Sequence, residues 1–353
     1  MTASQIISTS HQTANITLLI ENGQVIQCWP DTPVKIGAIH AVKFTHVAPR
    51  FNLAQAVLDN GQAISVKLSA RQKIEPGQWG LITVTAQPFQ DKPAQAVCNA
   101  ELAGRYIVIR RGTTTGIHIR HSLKTPQQQK LLQEDFYPEL EHHIVQLLGF
   151  GGNVEIVLRR NALGLKTARP LLDEARILVA AVNEEIISAQ QFAQKGQIFS
   201  GFNGQQLARL EAPDALLGAA DNIELEEYFG QIDACMQQSI PLENGAMLWV
   251  ETTRAGMMID VDSGKSGLNG LDLSRFVLPK IMHILRLRGR GGRVLIDFPL
   301  TSPKHRQALM TSMAQIAQTD SKISALHGFT SSGLFELVRR HSITPLEQWW
   351  VSA

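Results

Sequence analysis

From Met247 onward, apolar segments of strand length and helix length take turns. Met247–Thr253 and Gly256–Val261 read as strands, Leu273–Leu285 as a helix and Arg293–Phe298 as a strand. Pro303–Thr319 reads as a helix, Lys322–Gly328 as a strand and Gly333–His341 as a helix. A chain with this alternation lays helices on a sheet, so the C-terminal third is an α/β or α+β domain. The preceding residues differ. Ile16–Trp29 is a hairpin around Asn22-Gly23, and short strands follow near 36–46, 54–58, 64–68 and 79–86, separated by Gly, Pro, Asn and Asp. Strands at this spacing predict a small barrel or sandwich. Strands at Tyr106–Arg110, Ile117–Arg120 and Val154–Leu158 then interleave with helices at Pro126–Leu148, Pro170–Ala193 and Glu224–Ser239. The whole reads as a β-rich insert inside a mixed chain.

Composition narrows the function classes. The chain has 353 residues, 44% of them hydrophobic and 18% charged, which suits two or three packed domains and excludes a disordered chain. No apolar run is long enough to cross a membrane, and the polar first residues lack the apolar core of a signal peptide. Cys28, Cys98 and Cys235 form no Cys-x-x-Cys pair, which argues against a disulfide scaffold or a cysteine zinc site and fits a cytoplasmic protein. The net charge of +2 hides an uneven distribution. Leu171–Glu251 carries 13 acids and 3 bases, whereas Lys280–Arg306 carries 7 bases and one acid, Asp297. A basic segment around a carboxylate suits a phosphate chain.

Two carboxylate motifs stand out. Met257-Met258-Ile259 runs into Asp260-Val261-Asp262-Ser263-Gly264, so Asp260 and Asp262 face one side of a strand. Arg293-Val294-Leu295-Ile296 ends in Asp297-Phe298. If the two strands are neighbours, three carboxylates converge, and a cation between them relieves their repulsion. Magnesium suits such oxygen ligands and can lower the pKa of an attacking water. The plainer reading of each acid is a turn or helix cap. Arginines cluster at Arg286, Arg288, Arg290 and Arg293 around Gly289, Gly291 and Gly292, and again at Arg159-Arg160, with Arg110, Arg111 and Arg120 upstream. Arginine forks suit phosphates, although cations also suit a helix end. No Gly-x-Ser-x-Gly motif is present and no cysteine has a nearby histidine, so a nucleophilic triad has no support.

These blocks, in this order, resemble the ribonuclease E/G family. Ile259-Asp260-Val261-Asp262-Ser263-Gly264 is similar to its Ile-Asp-x-Asn-Ser/Thr motif, and Ile284–Arg288, Gly291-Gly292 and Val294–Phe298 to its second motif. Leu242–Gly245, Glu251–Thr253, Gly333–Leu337 with Arg339, Leu102–Val108, Arg159–Ala162 and Ile36–His40 match flanking blocks, so the likeness runs from about residue 16 to 342. It implies a magnesium-dependent endoribonuclease acting on single-stranded RNA. The implied fold is α+β and multi-domain: an RNase H-like part interrupted by a small OB-fold β-barrel and a 5′-sensor region, followed by a DNase I-like α/β catalytic domain. The implied boundaries are 1–35 and 171–235 for the RNase H-like subdomain, 36–100 for the OB-fold insert, 101–170 for the sensor and 236–353 for the catalytic domain.

Carried over, the resemblance makes Asp260 and Asp297 the magnesium ligands and Arg159 the 5′-phosphate arginine. Asp262 stands where the family has Asn and Arg160 where it has Thr; Lys92 falls near an RNA-contacting lysine. Arg120, Arg286, Arg288 and Arg293 are further expected RNA contacts. Val57 and Ile64 replace aromatic residues of the OB-fold, which predicts weaker base stacking there. Thr330–Gly333 lacks an arginine the family often has. The cysteine pair that links family subunits through zinc is absent, which argues against a zinc-linked tetramer and leaves a homodimer open. The expected activity is therefore RNA cleavage at Asp260, Asp262 and Asp297. An RNA-binding protein of the same descent that no longer cleaves is the alternative, and a metal-free scaffold in an RNA-processing assembly is the third reading.

Overall fold

The computed structural model describes residues 4–70, 72–111, 116–120, 153–159, 161–162, 165–186, 196–300, 302–317, 320 and 322–350. The helix expected at Pro126–Leu148 lies outside the described residues. The chain divides into two compact units, one of Ser8–Thr17 and Trp29–Leu216, the other of Met1–Ile7, Leu18–Cys28 and Leu217–Ala353.

The expected hairpin is present as β2 (Ala14–Glu21) and β3 (Gln24–Pro30). Asn22 and Gly23 both take left-handed backbone, with φ of 54° and 74°, as a two-residue hairpin loop of matching twist requires. Sequence analysis missed β1 (Ser4–His11), which lies beside β2, and β14 (Leu216–Gly218), which lies beside β1.

In the first unit, β4 (Ile39–Ala48), β5 (Leu53–Val57), β6 (Ala63–Lys67), β7 (Trp79–Ala86) and β8 (Ala94–Val97) close a five-stranded barrel of order β4-β5-β6-β8-β7 and back to β4. The pairing is antiparallel except between β6 and β8. Small inward residues (Ala54, Ala56, Ala94 and Ala96) leave room for Phe44, Ile64 and Ile82 in its core. This is the OB-like barrel the β-rich insert predicted. A second sheet contains β9 (Glu101–Ala103), β10 (Ile107–Arg111), β11 (Gly116–Arg120) and β12 (Asn153–Leu158) in the order β11-β12-β10-β9. The helix α1 (Arg169–Ile186) adds Leu171, Leu178 and Val179 to the core built on Leu102, Ile107, Ile109 and Ile156. Strand β13 (Gly196–Phe199) pairs with β4, and α2 (Gly204–Glu211) starts at a capping box made by Asn203 and Gln206.

In the second unit, α3 (Asn222–Met236) leads into a six-stranded sheet. Its strands are β15 (Ser239–Pro241), β16 (Met247–Thr252), β17 (Gly256–Asp262), β18 (Gly292–Asp297), β19 (Ile323–Phe329) and β20 (Phe335–Arg339). The order is β15-β16-β17-β18-β20-β19. Helix α4 (Gly270–Leu287) joins the parallel pair β17 and β18, and α5 (Pro303–Ala317) follows β18. The helix expected at Gly333–His341 is instead strand β20. Burial alternates along it, with Phe335, Leu337 and Arg339 buried and Glu336 and Val338 only half-buried, a period of two that a helix does not have. Among the described residues, no helix is long and apolar enough to cross a membrane.

Candidate functional site

The site is built on strand alternation. On β17, Met257, Ile259 and Val261 are buried, so Met258, Asp260 and Asp262 take the exposed face. On β18, Val294 and Ile296 are fully buried and Asp297 is exposed. The parallel register sets Asp260 directly opposite Asp297. Both acids therefore stand on one face, at the carboxyl ends of two neighbouring parallel strands, where open α/β sheets place their ligands. Tight backbone approaches hold that end. The Asp262 carboxylate accepts the N–H of Gly264 at 3.0 Å, and Gly264 has φ of 48°. A Cβ at Gly264 would lie 2.3 Å from the carbonyl oxygen of Gly245, and one at Gly270 would lie 2.0 Å from that of Pro299. The chain after β17 and the chain after β18 thus meet, with α4 capped there by Asn269, whose side chain accepts the N–H groups of Leu271 and Asp272.

Electrostatically the acids act on one another. Asp260 is held above the ordinary carboxylate range, first by partial burial and then by the charges of Asp297 and Asp262. Among the described residues, no three His, Cys, Asp or Glu side chains converge as a ready ligand set, so Asp262 does not complete a triad. Its carboxylate also closes the turn at Gly264. Two oxygen-donor carboxylates under mutual repulsion are a donor set that fits magnesium, which keeps most of its waters and needs one or two carboxylates.

The expected cationic residues separate. Arg293 is exposed and pairs with Glu336 at 2.9 Å. Arg286 is half-buried, and its Nε donates to the Gln27 side chain at 3.3 Å. Arg288 is turned inward: it is 3% exposed and donates to the carbonyls of Cys235 and Gln237, with Glu347 nearby. Its guanidinium secures the end of α4, which corrects the expectation that it meets RNA. Lys92 is exposed in the turn between β7 and β8.

In the other unit, Arg159 follows β12. Its N–H bonds the Tyr106 carbonyl at 2.7 Å, and its guanidinium donates to the Gly104 carbonyl. The carboxylate of Glu174, on α1, anchors the same turn by accepting the N–H groups of Arg105, Tyr106 and Ile107 at 2.7, 2.8 and 2.8 Å. Arg160 and the side chain of Arg120 lie outside the described residues.

Sequence reasoning missed four exposed aromatic residues among the described ones. The barrel has Val57 and Ile64 where stacking residues were sought, yet it exposes Phe51 and Trp79, the latter opposite Lys43 in the β4–β7 register. The third is Trp249 on β16 and the fourth is Phe276 on α4. For Trp249 the available signal was an aromatic residue at the outward position of an alternating strand.

The chain is thus an α+β protein with a closed OB-like barrel and an acid pair at the carboxyl ends of a parallel strand pair. A family profile for the Ribonuclease E/G family matches residues 180–342, which include all three acids. Ribonuclease G of Haemophilus influenzae is 25% identical over 347 residues, covering 89% of this chain and 70% of that protein. Ribonuclease G of Escherichia coli K12 is 23% identical over 306 residues, covering 78% of this chain and 62% of its own length. Ribonuclease E of Buchnera aphidicola from Schizaphis graminum is 22% identical over 307 residues, 78% of this chain and 32% of that protein. Over residues 180–342 the chain is similar to the ribonuclease E/G family. It spans 62 to 70% of the length of these two ribonuclease G relatives.

Proposed function

We propose that the chain is an endoribonuclease of RNA processing or decay that cuts single-stranded RNA with magnesium. The observation that carries this reading is the register that sets Asp260 against Asp297 on the exposed face. Asp260 and Asp297 would hold the ion through their carboxylate oxygens. Bound there, magnesium supplies charge neutralisation at the phosphodiester and an acidified water. The chain's own residues set the geometry: Asp262 and Gly264 fix the turn, and the Gly270 approach to Pro299 holds the two strand ends together. Arg159 and Arg160 would bind a 5′ phosphate, a role for which the turn fastened by Glu174 positions Arg159. Arg286, Arg293, Arg120 and Lys92 would steer the RNA backbone as exposed or partly exposed charges do, with steep salt dependence.

The family names of the relatives support the class of reaction. The second reading, an RNA-binding protein that does not cleave, is favoured by one observation: Asp262 adds a negative charge beside Asp260. Incubation of the purified chain with 5′-monophosphorylated single-stranded RNA separates the two. Cleavage in magnesium that stops in EDTA supports the nuclease. Binding without cleavage selects the second reading.

A further inference from the structure

We propose that Trp249 is a base-stacking platform for the acidic site, carrying the nucleobase beside the phosphodiester that lies at Asp260 and Asp297. The proposal deepens the nuclease reading and rests on it for the identity of the ligand. The register places Trp249 directly opposite Asp260, and Asp260 directly opposite Asp297, so the three residues form one row across β16, β17 and β18. Residues opposite one another in a sheet share a face. Strands lie about 4.8 Å apart, so the indole stands one strand from Asp260 and two strands, about 10 Å, from Asp297.

The indole is not a core group. Leu248 and Val250, on either side of it in sequence, fill the core at 0% and 1% exposure, while Trp249 is 46% exposed. Met258, one step back on β17, is 44% exposed on the same face. A flat aromatic surface beside an acid pair is what stacking of a splayed-out base requires, and stacking tolerates any base because each has a π face.

A second copy of the chain is the other occupant to weigh. The face also carries Glu251, Asp260, Asp262 and Asp297. A two-fold interface would bring that patch against itself and crowd like charges together. Charge therefore favours a nucleotide whose phosphate is met by a cation at the acids and whose neutral base falls on Trp249.

The test uses Trp249→Thr, which suits an exposed strand position, and Trp249→Phe, which keeps a ring. Binding of a short single-stranded RNA is read by anisotropy in magnesium, in the Asp297→Asn background so that the RNA stays intact. A series of RNAs with single abasic positions is run beside it. Trp249→Thr should weaken binding about 5- to 150-fold, the range of one stacked base, and Trp249→Phe should recover most of it. One abasic position should cost the Trp249 protein the same factor and cost Trp249→Thr nothing. Folded Trp249→Thr that binds as tightly as its parent, or an abasic series that shows no coupling to Trp249, overturns the proposal. So does a dimer, seen by sedimentation, that Trp249→Thr dissolves while RNA binding is kept. The chain with Asp297 intact is assayed separately for cleavage. Absence of cleavage there refutes the nuclease reading and leaves the anisotropy result to decide the stacking.

Discussion

Glu174→Gln tests the anchoring of the Arg159 turn in a way only a buried carboxylate predicts. Glu174 is 1% exposed and meets three backbone N–H groups. Burial pushes its pKa up to about 7, against the pull of those amides and of Arg159. A carboxyl raised in the folded state contributes stability that is fully present below its ordinary value near 4.5 and is lost as pH rises through about 7. At 1.36 kcal/mol per pKa unit, wild type should lose about 2 kcal/mol from this group between about pH 5.5 and pH 8.5, a loss that glutamine does not share. Glutamine has its own cost. Its oxygen can serve Tyr106 and Ile107, but its amide then faces the N–H of Arg105 and leaves a buried donor unmet, about 1–3 kcal/mol. Denaturant unfolding at the two pH values should therefore show the variant less stable at the lower pH, with the gap closing by about 2 kcal/mol at the higher. A gap that stays constant, or that widens with pH, would refute the reasoning.

Other outcomes follow from single contacts. Arg339→Leu should cost about 3–5 kcal/mol in denaturant unfolding, because Arg339 is buried and donates to Asp320, to Leu285 and to the carbonyl of Arg290, and its removal strands a buried carboxylate. Gly270→Ala should lower the melting temperature and the cleavage rate together, since the new Cβ would collide with the Pro299 carbonyl and separate the two strand ends. Asp262→Asn should keep the fold, because an amide oxygen can still accept the Gly264 N–H, and should raise cleavage at low magnesium by removing one repelling charge; magnesium titration of both proteins reads this.

Much of the fold was legible because its signals are local. The hairpin carried its Asn22-Gly23 loop, and the β17–α4–β18 unit carried clean alternation on both sides of a periodic helix. What was not legible depended on partners. Gly333–His341 suits either period, and only pairing with β18 and β19 settles it as a strand. Ala94–Val97 has only one of the branched residues that mark strands, Val97, since a narrow barrel wants small side chains at Ala94 and Ala96. The pairing of Asp260 with Asp297 was conditional in the sequence, because register is a long-range property. Arg288 was assumed to face solvent, and only its tertiary neighbours show that it is buried.

The central claim is that Asp260 and Asp297 together run RNA cleavage, and one measurement meets it directly. Wild type, Asp260→Asn and Asp297→Asn are compared for magnesium-dependent cleavage of 5′-monophosphorylated single-stranded RNA, with melting temperature recorded on the same samples. The account predicts cleavage by wild type, its loss to background in both variants, and no fall in the melting temperature of Asp260→Asn, because a repelling charge has been removed. A folded Asp260→Asn protein that cleaves at the wild-type rate would contradict it.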